Sequence, residues 1–164
     1  MSVEVNGIAH IQLSVADPDR CIPFWEKLCH FLEMKTLIKG EGIVYCIGSR
    51  TGILVRKAGD EHRHTRFDQN RAGLHHFCFR ARSREDVDAI HRFVVDELGA
   101  SIVHPPEEAN HFAPGYYSLL FEDPDGIRVE VNHVPGKGHL DRGGRLGPGG
   151  EGPGGRYGDG GIRS

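Results

Sequence analysis

The sequence predicts an α+β fold made of two strand–helix–three-strand (βαβββ) modules. Three observations support this: the same order of elements occurs twice, each copy begins with an alternating strand that contains a histidine, and each copy ends with a Gly-Ile strand after a turn. A duplication of this kind implies two similar half-barrels placed side by side around a concave sheet.

The first module begins with the alternating, β-branched stretch "GIAHIQLSV", which predicts a strand. Asp17 and Pro18 then provide a helix N-cap and a proline in the first turn. The apolar residues that follow predict a helix, with Pro23 disturbing its first turn. Three short strands complete the module, at residues 35–39, "IVYCIG" and "GILVRK".

The second module repeats this order from the strand "LHHFCFRA". Ser83 and Asp86 form a capping box at the start of the next helix, and Gly99 ends it. The strands "SIVH", "YYSLLFE" and "IRVEVN" follow, with the turn "DPDG" between the last two.

These patterns predict one domain over residues 1–140. Module one spans about 5–58, a polar linker spans 59–72, and module two spans about 73–137. Glycine makes up about half of the segment that follows, and apolar residues are nearly absent from it. Residues 141–164 are therefore predicted to be a flexible tail.

Composition narrows the class of protein. The 164 residues carry a formal net charge of −3, and acidic and basic residues are intermixed. The sequence therefore lacks the basic cluster that is typical of proteins that bind nucleic acids. The sequence has no apolar run of membrane-spanning length and no signal-peptide pattern at its start. Four cysteines without a CxxC pair indicate free thiols, and we expect a cytoplasmic protein.

Superposing the two modules selects a set of candidate metal ligands. His10 falls on His76, and adjacent His75 is then predicted to face the other side of its strand. The final strands superpose with Arg56 on Glu130. Two imidazoles and one carboxylate on a concave sheet form a 2-His-1-carboxylate set with open positions for substrate or water.

Two stretches carry a family resemblance. "GIAHIQLSVADPDRCIPFWEKLCHFL" and "YYSLLFEDPDGIRVEVNHV" resemble the vicinal oxygen chelate superfamily, which includes glyoxalase I, thiol transferases, extradiol dioxygenases and bleomycin-binding proteins. The resemblance covers about residues 5–137. It implies an open, strongly curved mixed sheet with flanking helices and a homodimer whose sites draw ligands from one or both subunits. It also implies one divalent metal ion per site, bound by His10, His76 and Glu130, with Fe, Mn, Zn and Ni all left open.

The chain departs from the glyoxalase I pattern at one position. A fourth acidic ligand is typical there, and the superposition places Arg56 at that point, so a three-ligand site is favoured. Arg56 would instead attract an anionic substrate. Alternation and hairpin pairing add further residues to the predicted cavity, with Ser118 beside Glu130 and Tyr116 as a proton donor. The predicted substrate-binding residues are Arg56, Gln12, Cys78, Arg80 and Ser118, and the predicted catalytic residues are Glu130 and Tyr116.

Two functions remain open from the sequence. The first is a metal-dependent enzyme that chelates a small oxygenated substrate, of the lyase, isomerase or ring-cleaving dioxygenase type. The second is a protein of the bleomycin-resistance type that binds a ligand in the same crevice without catalysis.

Overall fold

The computed structural model describes residues 5, 7–48 and 50–135, and the predicted tail at 141–164 lies outside them. The first module comprises β1 (Ile11–Val15), α1 (Pro18–Phe31), β2 (Lys35–Gly40), β3 (Ile43–Gly48) and β4 (Thr51–Lys57). A short 3-10 turn, Asp60–His62, lies in the linker. The second module comprises β5 (Phe77–Arg80), α2 (Arg84–Asp96), β6 (Ser101–Glu108), β7 (Tyr117–Glu122) and β8 (Arg128–His133).

The strands form two mixed four-stranded sheets with the same topology. Their orders are β1-β4-β3-β2 and β5-β8-β7-β6. The first strand of each module lies parallel to the last, and the other pairings are antiparallel. The helix of each module provides the crossover that parallel pairing requires. The predicted α+β fold with two βαβββ modules is confirmed.

Both helices begin at the residues that the sequence predicts. The Asp17 side chain accepts a hydrogen bond from the backbone N–H of Arg20 at 3.2 Å, and Ser83 Oγ accepts from that of Asp86 at 3.1 Å. Gly99 follows α2 with a φ of 61°, a left-handed conformation suited to glycine. Within the described residues, neither helix has the length and apolar character to span a membrane.

Each sheet buries one face against its helix and leaves the other open. The inward residues of β4 and β8 are apolar and fully buried, as Val55 and Val131 illustrate. Side chains alternate along a strand, so the residues between them lie on the opposite face. We call this second surface of each sheet the open face. The predicted substrate-binding and metal-binding residues in β1, β4, β5 and β8 lie on the open faces. The two predicted histidine ligands immediately precede β1 and β5.

The helices and the last turn join the two modules. The rings of Phe31 in α1 and Phe93 in α2 stack with centroids 4.0 Å apart, and those of Trp25 and Phe77 with centroids 5.9 Å apart. Fully buried Trp25 also donates its indole N–H to Asp123 Oδ2 at 2.8 Å. The buried residues of both modules form one hydrophobic cluster.

The "DPDG" turn connects β7 to β8 and also contacts the first module. Asp125 Oδ2 accepts hydrogen bonds from the backbone N–H groups of Ala16 and Asp17, the latter at 3.2 Å. Asp123 Oδ1 accepts from the backbone N–H groups of Asp125 and Ile127 within its own turn. Both aspartates are buried. The turn thus fixes the start of α1 against the second sheet.

Candidate functional site

The second module brings three of the predicted residues together. Glu130 Oε2 lies 3.0 Å from His76 Nε2, and the Tyr116 hydroxyl donates to Glu130 Oε1 at 2.6 Å. The Glu130 side chain is largely buried, whereas that of His76 is about one-third exposed, at 35%. One carboxylate therefore has a nitrogen partner on one oxygen and a phenol on the other.

This arrangement gives the two acids opposite protonation states. Burial alone would raise the pKa of Glu130, but the hydrogen bonds from His76 and Tyr116 outweigh it and hold the pKa below its ordinary value. Burial raises the pKa of Tyr116, and its hydrogen bond to Glu130 raises it further. At neutral pH the site holds an ionised Glu130 and a protonated Tyr116.

His75 does not face away from His76 as predicted. Its Nδ1 lies 2.7 Å from Nδ1 of His76, and the two rings meet edge to face with centroids 5.0 Å apart. The alternation argument is wrong here because β5 begins only at Phe77, so both histidines precede the strand. Burial, His76 and Arg128 lower the pKa of His75.

The strand register places Cys78 and Leu120 on either side of Glu130. The predicted pairing of Ser118 with Glu130 is wrong by two residues along the hairpin. Ser118 instead lies opposite Asn132, on the same face. Although Cys78 is exposed at the edge of the sheet, loss of hydration at its thiol and the Glu130 carboxylate raise the thiol pKa, so the sulfur stays protonated.

The buried residues Ser118 and Asn132 interact with Glu130 and Tyr116, which we call the acid pair. Ser118 also helps to lower the pKa of Glu130. Asn132 Nδ2 donates to the Tyr116 oxygen at 2.8 Å. Because that oxygen already accepts from the amide, the phenol proton is directed to Glu130. Arg80 lies beside Asn132 in the register and is exposed.

The pairing of the parallel strands shows which residues of the first module are equivalent to residues of the second. Ile11 and Phe77 are the first residues of β1 and β5, and each follows the histidine that the superposition matches. Ile11 pairs with Ile53, and Phe77 pairs with Val129. Ile53 in β4 therefore corresponds to Val129 in β8.

One position further along, Leu54 corresponds to Glu130. The predicted superposition of Arg56 on Glu130 is therefore wrong by two residues, because the strands were matched at their Gly-Ile starts and not through their parallel neighbours. Arg56 corresponds to Asn132 and is exposed near the end of β4. The position equivalent to Glu130 thus has no metal-binding atom at all.

The module-one candidates remain apart from the acid pair. His10 and Gln12 are exposed at the start of β1, and Arg56 lies on the same sheet. Among residues 5, 7–48 and 50–135 of this single chain, no three His, Cys, Asp or Glu side chains are grouped so as to hold a metal ion. His76 and Glu130 provide an imidazole nitrogen and a carboxylate oxygen, which suit two positions of a divalent ion.

Three residues around His76 and Glu130 were not predicted from the sequence. Alternation from Glu130 would have found Arg128 and Asn132, which share its face at two residues' distance on either side. Arg128 donates to Glu122 at 3.1 Å, and its charge helps to lower the pKa of His75. His75 had no comparable signal, because its contact depends on where β5 begins.

Comparison with known proteins agrees with this fold. Residues 7–131 match the model of the Glyoxalase/Bleomycin resistance protein/Dioxygenase superfamily. The chain is 25% identical to the uncharacterized protein YqjT of Bacillus subtilis (strain 168) over 122 residues, which is 74% of this chain and 94% of YqjT.

Solved structures give the same result. A Bacillus halodurans protein provisionally assigned as a glyoxalase is 26% identical with a TM-score of 0.67, over 79% of this chain and 96% of that one. The lactoylglutathione lyase of Agrobacterium tumefaciens is 25% identical with a TM-score of 0.56, over 79% of this chain and 94% of that one. The chain belongs to the Glyoxalase/Bleomycin resistance protein/Dioxygenase superfamily.

Proposed function

We propose that the protein is a cytoplasmic, metal-dependent enzyme of this superfamily that acts on a small oxygenated substrate. The reaction would be of the lyase or isomerase type, or a ring-cleaving dioxygenation. The observation that carries the proposal is the contact of His76 Nε2 with Glu130 Oε2 at 3.0 Å, beside a protonated Tyr116. The metal would be Fe, Mn, Zn or Ni, all of which accept these donors.

His76 and Glu130 are the residues that would hold the ion. When bound, a divalent ion supplies Lewis acidity, which stabilises negative charge that develops on substrate oxygens. The chain's own contribution is acid–base chemistry. Tyr116 holds a proton on its hydroxyl close to Glu130, where it can donate a hydrogen bond or a proton to a substrate oxygen.

The third ligand in this proposal is His10, supplied by a second copy of the chain. His10 is exposed and lies outside the group formed by His76 and Glu130. A twofold homodimer would place His10 of each copy at the site of the other, and both sites would be equivalent. The absence of a donor at Leu54 favours three protein ligands over four.

The open faces would also bind the substrate. Cys78 flanks Glu130 in the register, and Arg80 lies one residue pair further along β5. Gln12 and Arg56 line the open face of the first sheet. The two exposed arginines favour a substrate that carries a carboxylate or another anionic group.

A second function is a ligand-binding protein of the bleomycin-resistance type. It is favoured by one observation, namely that the described part of a single chain groups no three ligands. Such a protein would bind its ligand on the same open faces and would need neither the ion nor the phenol proton.

Metal analysis of the protein, purified without added metal, distinguishes the two functions. The enzyme proposal predicts about one divalent ion per chain. Absence of any ion, together with failure to take up Zn²⁺, Mn²⁺, Fe²⁺ or Ni²⁺ in calorimetry, would favour the ligand-binding protein.

Subunit mixing tests the origin of His10. His10→Ala and His76→Ala proteins are each expected to lose their metal. If each site draws its histidines from two chains, mixed dimers regain one intact site, and random exchange restores metal to about a quarter of the chains. If both histidines come from one chain, no metal binding returns after mixing.

A further inference from the structure

The contact between His75 and His76 constrains which nitrogen of His76 carries a proton. A nitrogen–nitrogen distance of 2.7 Å requires one N–H between the two Nδ1 atoms, since two bare nitrogens would repel each other. On its other side, His76 Nε2 lies 3.0 Å from Glu130 Oε2, which only accepts hydrogen bonds when ionised. Both ring nitrogens of His76 are therefore committed to a partner.

Two arrangements of the neutral rings satisfy the Nδ1 contact. In the first, His76 is protonated on Nε2 and donates to Glu130, while His75 donates from its Nδ1 to the bare Nδ1 of His76. In the second, His76 is protonated on Nδ1 and donates to His75, and its bare Nε2 faces Glu130. The second arrangement places two lone pairs face to face and needs a cation between them.

We propose that His75 is the positioning residue that selects the metal-binding tautomer of His76. Its Nδ1 accepts the proton of His76 Nδ1, which leaves His76 Nε2 free to bind a cation beside Glu130. The inference rests on the proposed function, because it concerns the same ion. It adds a residue that alternation along β5 had assigned to the opposite face.

Conversion between the two arrangements is balanced in protons. The shared proton moves from Nδ1 of His75 to Nδ1 of His76. One proton leaves His76 Nε2 for solvent, and another from solvent reaches Nε2 of His75, which is partly exposed. The pair of rings keeps two protons throughout, so cation binding needs no net release from it.

The hydrogen bonds among Asn132, Tyr116 and Glu130 also orient the carboxylate that faces His76. Asn132 directs the Tyr116 proton to Glu130 Oε1, so Glu130 has one oxygen, Oε2, facing His76. A cation would therefore meet one nitrogen and one oxygen that are each oriented by a neighbour. Outer hydrogen-bond partners of this kind typically contribute a factor of about 10–100 to metal affinity.

Zn²⁺ calorimetry on full-length variants tests the proposal. His75→Leu removes the acceptor and is expected to weaken Zn²⁺ binding by about 10–100-fold. His75→Asn retains an oxygen acceptor near the place of Nδ1 and should stay within about threefold of the wild type. His62→Leu, at an exposed position in the linker, is the matched control and should bind as the wild type does.

Nitrogen-15 NMR of the histidine rings gives a second readout that does not depend on activity. In the Zn²⁺-loaded protein, His76 is expected to carry its proton on Nδ1, with coupling across the hydrogen bond to Nδ1 of His75. Metal bound through Nδ1 of His76 would overturn the proposal, as would wild-type affinity in His75→Leu. Wild-type protein that binds no ion would instead overturn the proposed function, and the role of His75 with it.

Discussion

The open faces of the two modules differ although the modules share one topology. A row of four residues crosses the first sheet beside the start of β1, and an equivalent row crosses the second. In strand order these rows are Gln12, Leu54, Tyr45 and Ile38 in the first module, and Cys78, Glu130, Leu120 and His104 in the second. The first row has no carboxylate or imidazole, whereas the second has both. The two open faces thus differ in the side chains at equivalent positions and not in the fold, and Glu130 is the difference that concerns the candidate site.

Tyr45 in the first row packs against the neighbouring strand β4. A Cβ placed on Gly52 would lie 2.6 Å from Cε2 of Tyr45, so the ring lies directly over the glycine backbone. Glycine is needed there because any side chain would displace the ring. In the second module Leu120 takes the equivalent position, and the phenol that reaches the carboxylate is that of Tyr116, before β7.

The largest expected effect concerns the one carboxylate that distinguishes the rows. Glu130→Gln should weaken retention of the divalent ion by more than about 100-fold, because it removes a ligand and not merely a supporting group. Metal content after dialysis against a weak chelator measures this. Leu54→Gln, at the equivalent position of module one, is the control and should retain the ion. Equal metal loss from both variants would contradict the assignment of the site to module two.

A second comparison concerns the turns that precede β4 and β8. The turn before β8 contains the buried Asp123. Burial raises the pKa of Asp123 to about 6, although its hydrogen bonds act in the opposite direction. Because the pKa is higher in the folded protein, this carboxyl binds more protons when folded between about pH 4 and 6. Its contribution to stability is present below about pH 4 and is lost as the pH rises through 6, by up to about 3 kcal/mol.

Urea unfolding at a series of pH values measures this contribution. Asp123→Asn should flatten the dependence between pH 4 and 6, whereas Asp60→Asn, at an exposed linker position, should leave it unchanged. A free energy of unfolding that rises with pH in wild type but not in Asp123→Asn would contradict the raised pKa.

Truncating a side chain on either buried face should lower the stability by a similar amount, although the open faces differ. Val55 and Val131 occupy equivalent, fully buried positions. Val55→Ala and Val131→Ala should each lower the free energy of unfolding by roughly 2 kcal/mol, with little change in metal content. Denaturant titration and metal analysis of both variants check this. A large metal loss from either variant alone would show that the buried faces are not equivalent.

The smallest effects are expected at the exposed arginines of β4 and β5. Arg56→Ala and Arg80→Ala should change the free energy of unfolding by less than about 0.5 kcal/mol and leave metal content unchanged. Any effect should appear in the affinity for a small carboxylate, measured by calorimetry, because the arginines lie on the open faces. Destabilisation by several kcal/mol would mean that these residues have a structural role.

Sequence patterns predicted the fold well because both modules obey simple local rules. Alternation, capping by Asp17 and Ser83, and the stop at Gly99 depend on neighbouring residues only. The site was predicted less completely, because it depends on register. Matching strands by their Gly-Ile starts misplaced Arg56 by two residues, and the assumed hairpin pairing misplaced Ser118 by two residues. Alternation preserved the correct face in each case.

The contact of His75 with His76 lay beyond such rules for another reason. Alternation holds only inside a strand, and the two histidines precede β5, where the backbone is free to bring adjacent rings together. By contrast, alternation and hairpin pairing predicted that Tyr116 lies on the face of Glu130, and the Tyr116 hydroxyl indeed lies 2.6 Å from Glu130 Oε1. Residues that keep the alternation of the adjoining strand, such as Tyr116, are thus more predictable than residues where the backbone departs from it, such as His75.

The interlock made by Asp125 and Trp25 changes what the linker has to do. Because the turn before β8 already binds the start of α1, covalent continuity between residues 70 and 72 is not what aligns the two sheets. A chain opened at the exposed residues 70–72, with its original ends joined, should still assemble. The protein is accordingly a candidate for circular permutation, and its two fragments should associate when they are produced separately.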